Sequence, residues 1–197
     1  MKNVLSSNSV ETQVAFKDYK VHGTVVPSPI GHLLILWRMK QAYEFDLSPY
    51  SFYIRGVYVE RDPLLKKVGD LKNLTVADHS VISPFTKCLK AYFNEGAALS
   101  VFPLDPSIGT EFQRLVWSAV RSIPIGQTTS YEQISQLIHK PSASRAVGKA
   151  VSENHFLVVN PCHRIVAKSP QQTMLYRGGA ERKAWLLNWE KSLVAKV

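Results

Sequence analysis

Residues 129–151, TSYEQISQLIHKPSASRAVGKAV, decide how this chain is read. Thr129 and Glu132 fit a capping box, and Tyr131, Ile134 and Leu137-Ile138 recur at helical spacing, so a short helix is expected there. His139-Lys140-Pro141 breaks it. Ser142 then caps a second helix, Ala143 to Val151, made of small residues and carrying Arg145 and Lys149. Two short helices joined by a tight turn, the second slender and basic, read as helix-turn-helix. Ala143, Ser144, Ala146 and Gly148 leave little side-chain bulk on that helix, so its backbone can come close to a nucleic-acid groove; plain helix packing through small residues is the competing reading.

Just downstream, Phe156-Leu157-Val158-Val159 reads as a short strand running into Pro161-Cys162-His163-Arg164. That places a thiol beside an imidazole at a strand end. Cysteine is a nucleophile as thiolate, and an adjacent base or basic surroundings can lower its pKa from about 8.5. His163 is the candidate base, directly or through water. Glu190 would orient it, unless it is a solvated charge near a helix end. Tyr131, at a helix start, can hydrogen-bond a ligand or serve as a half-buried staple. Cys88 lies in an apolar helical stripe and reads as core.

The rest of the chain frames this segment. Its 197 residues are 45% hydrophobic, enough to fill a globular core. Strands are expected over Tyr19 to Val26, Leu33 to Trp37 and Phe52 to Val59, and loops over 61–79. Ser83-Pro84 should open a helix with Phe85, Leu89, Tyr92 and Phe93 inward. Phe102-Pro103-Leu104-Asp105-Pro106 cannot be regular helix or central strand, so the domain boundary is placed there, giving domains 1–106 and 107–197. Thr110 and Gln113 form a capping box for a helix with Phe112, Val116, Ala119 and Val120. A last helix, Ala180 to Glu190, should bury Trp185, Leu186 and Trp189.

Charge is lopsided. Residues 1–106 hold 12 Lys+Arg against 10 Asp+Glu, and 107–197 hold 12 against 5. The basic excess shares a half with the thiol and favours a polyanion such as nucleic acid. No apolar run approaches the roughly 20 residues of a membrane span. Met1 to Val14 is polar with no signal-peptide core, so a cytoplasmic protein is expected, or a nuclear one from a eukaryotic source. Two cysteines make no disulfide framework, and neither has zinc-ligand spacing.

Taken in order, Gly109-Thr110-Glu111-Phe112-Gln113, Ile123-Pro124-Ile125-Gly126-Gln127-Thr128, Ser130-Tyr131, Arg145-Ala146-Val147-Gly148, Asn154, Pro161-Cys162-His163-Arg164 and Arg182-Lys183-Ala184-Trp185-Leu186-Leu187 closely resemble the O6-alkylguanine-DNA alkyltransferases. The resemblance covers nearly all of residues 83–190. It implies an α+β protein, with a ribonuclease-H-like N-terminal domain and a C-terminal winged helix-turn-helix domain. It also implies single-turnover transfer of the alkyl group from O6-methylguanine, and less efficiently O4-methylthymine, in double-stranded DNA to Cys162, by a monomer without metal or cofactor. By resemblance, Arg145 fills the stack left by a flipped base, with Ala143, Ser144 and Lys149 at the DNA. Tyr131 donates to guanine N3, His163 and Glu190 draw the thiol proton through water, and Asn154, Pro161 and Arg164 support the turn. Backbone near Cys162 and Ile165 reads the base edge, and Tyr176 and Arg177 line the alkyl pocket. Two features depart from the family pattern. Asn160 stands where an aliphatic residue is usual, and Ala167 to Leu175 lacks the usual glycines, so Met174 and Leu175 should narrow the pocket against bulky groups such as benzyl.

Overall fold

The computed structural model describes residues 20–44, 46–67, 79–167 and 176–195. Tyr19, the N-terminal stretch Met1 to Val14, most of the expected loop 61–79, and Met174 and Leu175 lie outside them. Three strands, β1 (His22–Val26), β2 (Leu33–Met39) and β3 (Phe52–Val59), form an antiparallel sheet in the order β1-β2-β3. Among the described residues five helices accompany it: α1 (His79–Glu95), α2 (Glu111–Arg121), α3 (Tyr131–Leu137), α4 (Ser144–Ser152) and α5 (Ala180–Val194).

Strand alternation alone would not put Phe52, Ile54, Val57 and Val59 on one face. An irregularity in the β2–β3 register does so: Trp37 faces Ile54 while Leu36 faces Gly56, leaving Arg55 as the extra residue. The four apolar side chains therefore join Leu33, Ile35 and Trp37 in the main core. Leu36 and Tyr58, on the other face, form a smaller cluster with Val21 and Leu64.

The main core continues through Phe85, Leu89 and Tyr92 of α1, Val116 and Val120 of α2, Val147 and Ala150 of α4, and Leu186 of α5. The prolyl segment after α1 lies on the edge of β3, where Ile54 N–H donates to Pro103 O at 2.9 Å and Asp105 N–H to Ile54 O at 2.8 Å. Asp105 also receives the buried Arg38 through Nε (2.6 Å) and Nη2 (3.0 Å).

Local expectations needed several corrections. Helix α1 begins at His79, before Ser83, and carries Pro84 inside its second turn. The α2 capping box of Thr110 and Gln113 forms as expected. For α3 the capping pair is Ser130 and Gln133, one residue beyond Thr129 and Glu132. Ser142 caps nothing, because Pro141–Ala143 is a turn of 3-10 helix and α4 starts at Ser144 behind Ala143, without a side-chain cap. In α5 the buried residues are Lys183, Leu186 and Glu190; Trp185 and Trp189 are half-buried and stack on each other at 6.0 Å. A polar pair spaced by seven residues thus shares the inner face, where aromatic content alone suggested the tryptophans. Cys88 is half-buried against the core, and burial pushes its thiol up.

Candidate active site

The strand expected over Phe156 to Val159 does not form. Val57 N–H donates to His155 O (2.8 Å) and Leu157 N–H to Val57 O (3.1 Å), a single bridge on the edge of β3. Val158 then takes φ 70°, a left-handed conformation rare for a β-branched residue, and Asn160 N–H closes onto Phe156 O at 2.8 Å. The chain turns there into a 3-10 turn, Cys162–Arg164, so the thiol sits in a buried turn and not at a strand end.

Asn154 holds the sulfur directly. Its Nδ2 donates to Cys162 Sγ at 3.0 Å and to the Asn160 carbonyl at 3.0 Å, while its Oδ1 accepts from Phe156 N–H (3.0 Å) and Asn160 Nδ2 (3.2 Å). The sequence suggested a brace; the structure adds contact with the nucleophile. Asn160 is fully buried, and its Oδ1 has no partner among the described residues. Burial pushes the Cys162 thiol above its ordinary value, against the opposing pull of the Asn154 bond, Arg177 and Lys183. A lowered thiol pKa was expected from the basic surroundings. Desolvation wins, so the free protein keeps a thiol and needs a base.

Behind the turn, one carboxylate gathers five donors. Glu190 Oε1 accepts from His163 Nε2 (2.8 Å), Arg164 Nη2 (2.8 Å) and Tyr92 OH (2.6 Å). Its Oε2 accepts from Arg164 Nε (2.9 Å) and Gly126 N–H (3.1 Å). Gly126 has φ 75°, and a Cβ there would lie 2.5 Å from the Val194 side chain, so glycine is needed to bring that N–H in. Burial alone would raise the Glu190 pKa; its bonds to His163 and Arg164 outweigh this and hold it well below the usual carboxylate range. Burial lowers the pKa of His163, more than Glu190 raises it, leaving a neutral ring. With Nε2–H donating to the carboxylate, Nδ1 carries the lone pair; it is buried and has no partner among the described residues. No direct bond joins His163 to Cys162 among the described residues.

A cleft of about 770 Å³ opens over the sulfur, lined by Cys162, Tyr131, Arg145, Gly148, Tyr176 and Arg177 among others. The structure thus gathers most of the expected site residues. Burial and the nearby Cys162 raise the Tyr131 pKa, keeping a phenol that can donate. Arg145 and Lys149 are exposed on α4, and of the two only Arg145 lines the cleft. Gly148 lies beside the Tyr131 ring, 3.8 Å from where its Cβ would be. Ala143 and Ser144 are half-buried, with Ser144 Oγ 3.2 Å from Ser135 Oγ of α3. Pro161 and Arg164 are buried. Ile165 lies outside the cleft lining, its N–H donating to Cys162 O (3.2 Å) and its carbonyl accepting from Lys183 Nζ (2.7 Å).

Sequence reasoning passed over Lys183, Tyr92, Gly126 and Asp62, which pairs with Arg177. For Lys183 a signal existed: it shares a helical stripe with Leu186 and Glu190. Among the described residues no group of three or more His, Cys, Asp or Glu is placed to hold a metal, and no helix is long and apolar enough to cross a membrane.

Fold and site together define a protein with one buried cysteine at the floor of a cleft, walled by Tyr131 of α3 and by Arg145 and Gly148 of α4. Residues 111–192 match the 6-O-methylguanine DNA methyltransferase, DNA binding domain, family. The inducible methylated-DNA–protein-cysteine methyltransferase of Bacillus subtilis is 40% identical over 119 residues, 60% of this chain and 65% of that protein, just under two thirds of its length. The methylated-DNA–protein-cysteine methyltransferase of Haemophilus influenzae is 33% identical over 169 residues, 85% of each chain. A solved structure of Mycobacterium tuberculosis OGT in complex with DNA matches with TM-score 0.69 and 30% identity, covering 87% of this chain and 94% of that one. The chain belongs to the methylated-DNA–protein-cysteine methyltransferase family.

Proposed function

We propose that this chain repairs O6-methylguanine, and more slowly O4-methylthymine, in double-stranded DNA by moving the alkyl group irreversibly to Cys162, once per molecule. The observation that carries this is the Asn154–Cys162 contact beside an oriented, neutral His163, opening onto the cleft that Arg145 and Tyr131 line. Membership of the family and a DNA-bound structural neighbour support it. The protein acts as a monomer, in the cytoplasm or in a eukaryotic nucleus, without metal or cofactor. Residues 1–106 form the ribonuclease-H-like domain and 107–197 the winged helix-turn-helix domain, with α4 as recognition helix.

The lesion is hidden in the duplex, so the nucleotide is flipped into the cleft at a cost of a few kcal/mol, and Arg145 fills the gap it leaves. Lys149, Ala143 and Ser144 lie along the DNA. His163 Nδ1 takes the Cys162 proton, directly or through one water, with Glu190 stabilising the imidazolium. Asn154 Nδ2–H and the charges of Arg177 and Lys183 stabilise the thiolate. The thiolate attacks the alkyl carbon: the S–C bond forms, the C–O6 bond breaks, and its electron pair leaves with the purine. Tyr131 donates to N3 as negative charge develops there, and the proton taken from the thiol neutralises the departing base. A thioether has no leaving group the site can expel, so turnover stops at one.

The test mixes the protein with a duplex bearing one O6-methylguanine and reads intact mass. One methyl gained stoichiometrically, absent in Cys162→Ala, is expected; tight lesion binding with no mass gain in the wild type would make this a recognition protein.

A further inference from the structure

Among the described residues that donate to Glu190, Tyr92 alone comes from the first half of the chain. It lies on the apolar stripe of α1 that carries Phe85 and Leu89, and it is 2% exposed. Gly96 N–H closes the end of the helix onto the Tyr92 carbonyl at 3.0 Å. The next residue, Phe93, meets Trp185 of α5 with ring centroids 6.1 Å apart, which fastens α1 to the helix that bears Glu190. A core stripe thus delivers one hydroxyl to Glu190 Oε1, at 2.6 Å.

That oxygen is contested. His163 Nε2 and Arg164 Nη2 donate to it at 2.8 Å each, beside the phenol, while Oε2 takes Arg164 Nε and Gly126 N–H. A carboxylate offers about four lone-pair sites, and this one meets five donors. The phenol bond has the length of a charge-assisted O–H···O⁻ bond. Burial and the adjacent carboxylate push the Tyr92 phenol well above its ordinary pKa, so it stays the donor. Arg164 supplies the balancing charge and also holds the Ile123 carbonyl, and Gly126 donates from the backbone. The Tyr92 hydroxyl is neutral and belongs to no turn. A phenylalanine ring would fill its place.

We propose that the Tyr92 hydroxyl, by competing for Glu190 Oε1, sets how readily His163 takes a proton and so the pH range over which Cys162 can be deprotonated. The inference rests on the alkyl-transfer reading above. Tyr92 acts through Glu190 and is a positioning residue. A general base accepts a proton only in its neutral form. A carboxylate already drawn upon by a phenol stabilises an imidazolium less, so the ring stays neutral to lower pH than Glu190 unshared would allow. The other groups facing His163 come from its own turn, from α5 and from the chain before α5. Arg164 and Lys183 lower its pKa and Glu190 raises it, the Tyr176 ring stands edge-on at 6.4 Å, and Cys162 precedes it. Loss of the Tyr92 hydroxyl alters the charge of none of them.

The test compares wild type, Tyr92→Phe, and the protein carrying 3-fluorotyrosine at position 92, whose more acidic phenol is the stronger donor. Protonation of the His163 ring is followed by ¹⁵N NMR, and single-turnover methyl transfer from an O6-methylguanine duplex is timed across pH. In Tyr92→Phe, ring protonation and the acid limb of the rate should both move up by about half a pH unit or more, with no fall in the alkaline plateau. With 3-fluorotyrosine both should move down. Ring protonation that begins no higher in Tyr92→Phe than in wild type, or rates lowered equally at every pH, would reduce Tyr92 to packing and overturn the inference. So would shifts of the same sign in both variants. A wild type that transfers no methyl would remove the reading beneath, while the ring titration still decides the role of Tyr92.

Discussion

Glu190 and Cys162 are tied to the same short turn and live under opposite rules. Around Glu190 both carboxylate oxygens are occupied, by five donors from four residues. On the side of Cys162, polar atoms are left over: Tyr176 OH and Nε and Nη2 of Arg177, on residues that line the cleft, and His163 Nδ1, in the turn itself, are buried without partners among the described residues. His163 belongs to both regions, bonded through Nε2 and open at Nδ1. Unmade hydrogen bonds cost free energy, so a fold keeps them where a substrate will use them, and holds them in place with satisfied neighbours. The contrast separates positions that should govern stability from positions that should govern reaction.

The largest expected effect breaks the satisfied side. Glu190→Ala leaves Arg164 buried without its carboxylate and strips His163 of its orienting partner. Removing one member of a buried ion pair costs about 3–5 kcal/mol. The denaturant midpoint should fall accordingly, with the slope unchanged. Cys162→Ala should shift stability by no more than about 1 kcal/mol, because Asn154 Nδ2 keeps its bond to the Asn160 carbonyl, while abolishing transfer. Comparable losses of stability in both variants would erase the distinction.

Acid sharpens the same contrast. The folded pKa of His163 is lowered, mainly by burial, so the unfolded chain binds a proton below about pH 6.5 that the folded state refuses. Stability from this group is therefore full above the unfolded pKa and is lost as pH falls, by up to about 1.4 kcal/mol per pH unit. Glu190, also lowered in the fold, adds a loss of the same sign below about pH 4.3, where the unfolded carboxylate protonates first. Urea titrations between pH 7 and 5 should show the decline in wild type and a shallower one in His163→Gln. Parallel pH slopes would mean that His163 is not held neutral.

The turn and its partners were only partly legible in the sequence. Cys162, His163, Tyr131 and Arg145 announced themselves because their spacing matches a known family, and Pro141 marked the break between the two helices, although the residue read as the cap of each lies one position before the observed one. The segment before the thiol misled because a run of four buried apolar residues reads as a strand by periodicity, whereas Val158 turns left-handed and only one bridge forms. The placement of Ile54 and Val57 on one face needed the register shift at Arg55, which alternation cannot foresee. Tyr92 and Gly126 reach Glu190 from 98 and 64 residues away, contacts that depend on how α1 and the turn after α2 settle on α5. A buried lysine on an apolar helix face was visible as an oddity at Lys183, yet its acceptor, the Ile165 carbonyl, exists only once the turn has formed.

The smallest effect is expected at Asn160, which stands at the junction of the two regions. Its backbone does the holding: the carbonyl accepts from Asn154 Nδ2 and from Cys162 N–H at 2.7 Å. Its side chain gives one bond to Asn154 Oδ1 and leaves its own Oδ1 buried without a partner among the described residues. Asn160→Val keeps the backbone contacts, loses a bond worth about 1 kcal/mol and removes an acceptor whose burial costs about 1–3 kcal/mol. Stability should therefore rise slightly, by about 1 kcal/mol. The thiol should barely notice, since Phe156 N–H still fixes the Asn154 amide with Nδ2 towards sulfur. A change in methyl-transfer rate below about threefold corresponds to less than about 0.7 kcal/mol of barrier. A tenfold loss of rate with unchanged stability would show instead that the Asn160 side chain sets the Asn154 amide, and would move this residue from the supporting side of the turn to the reacting one.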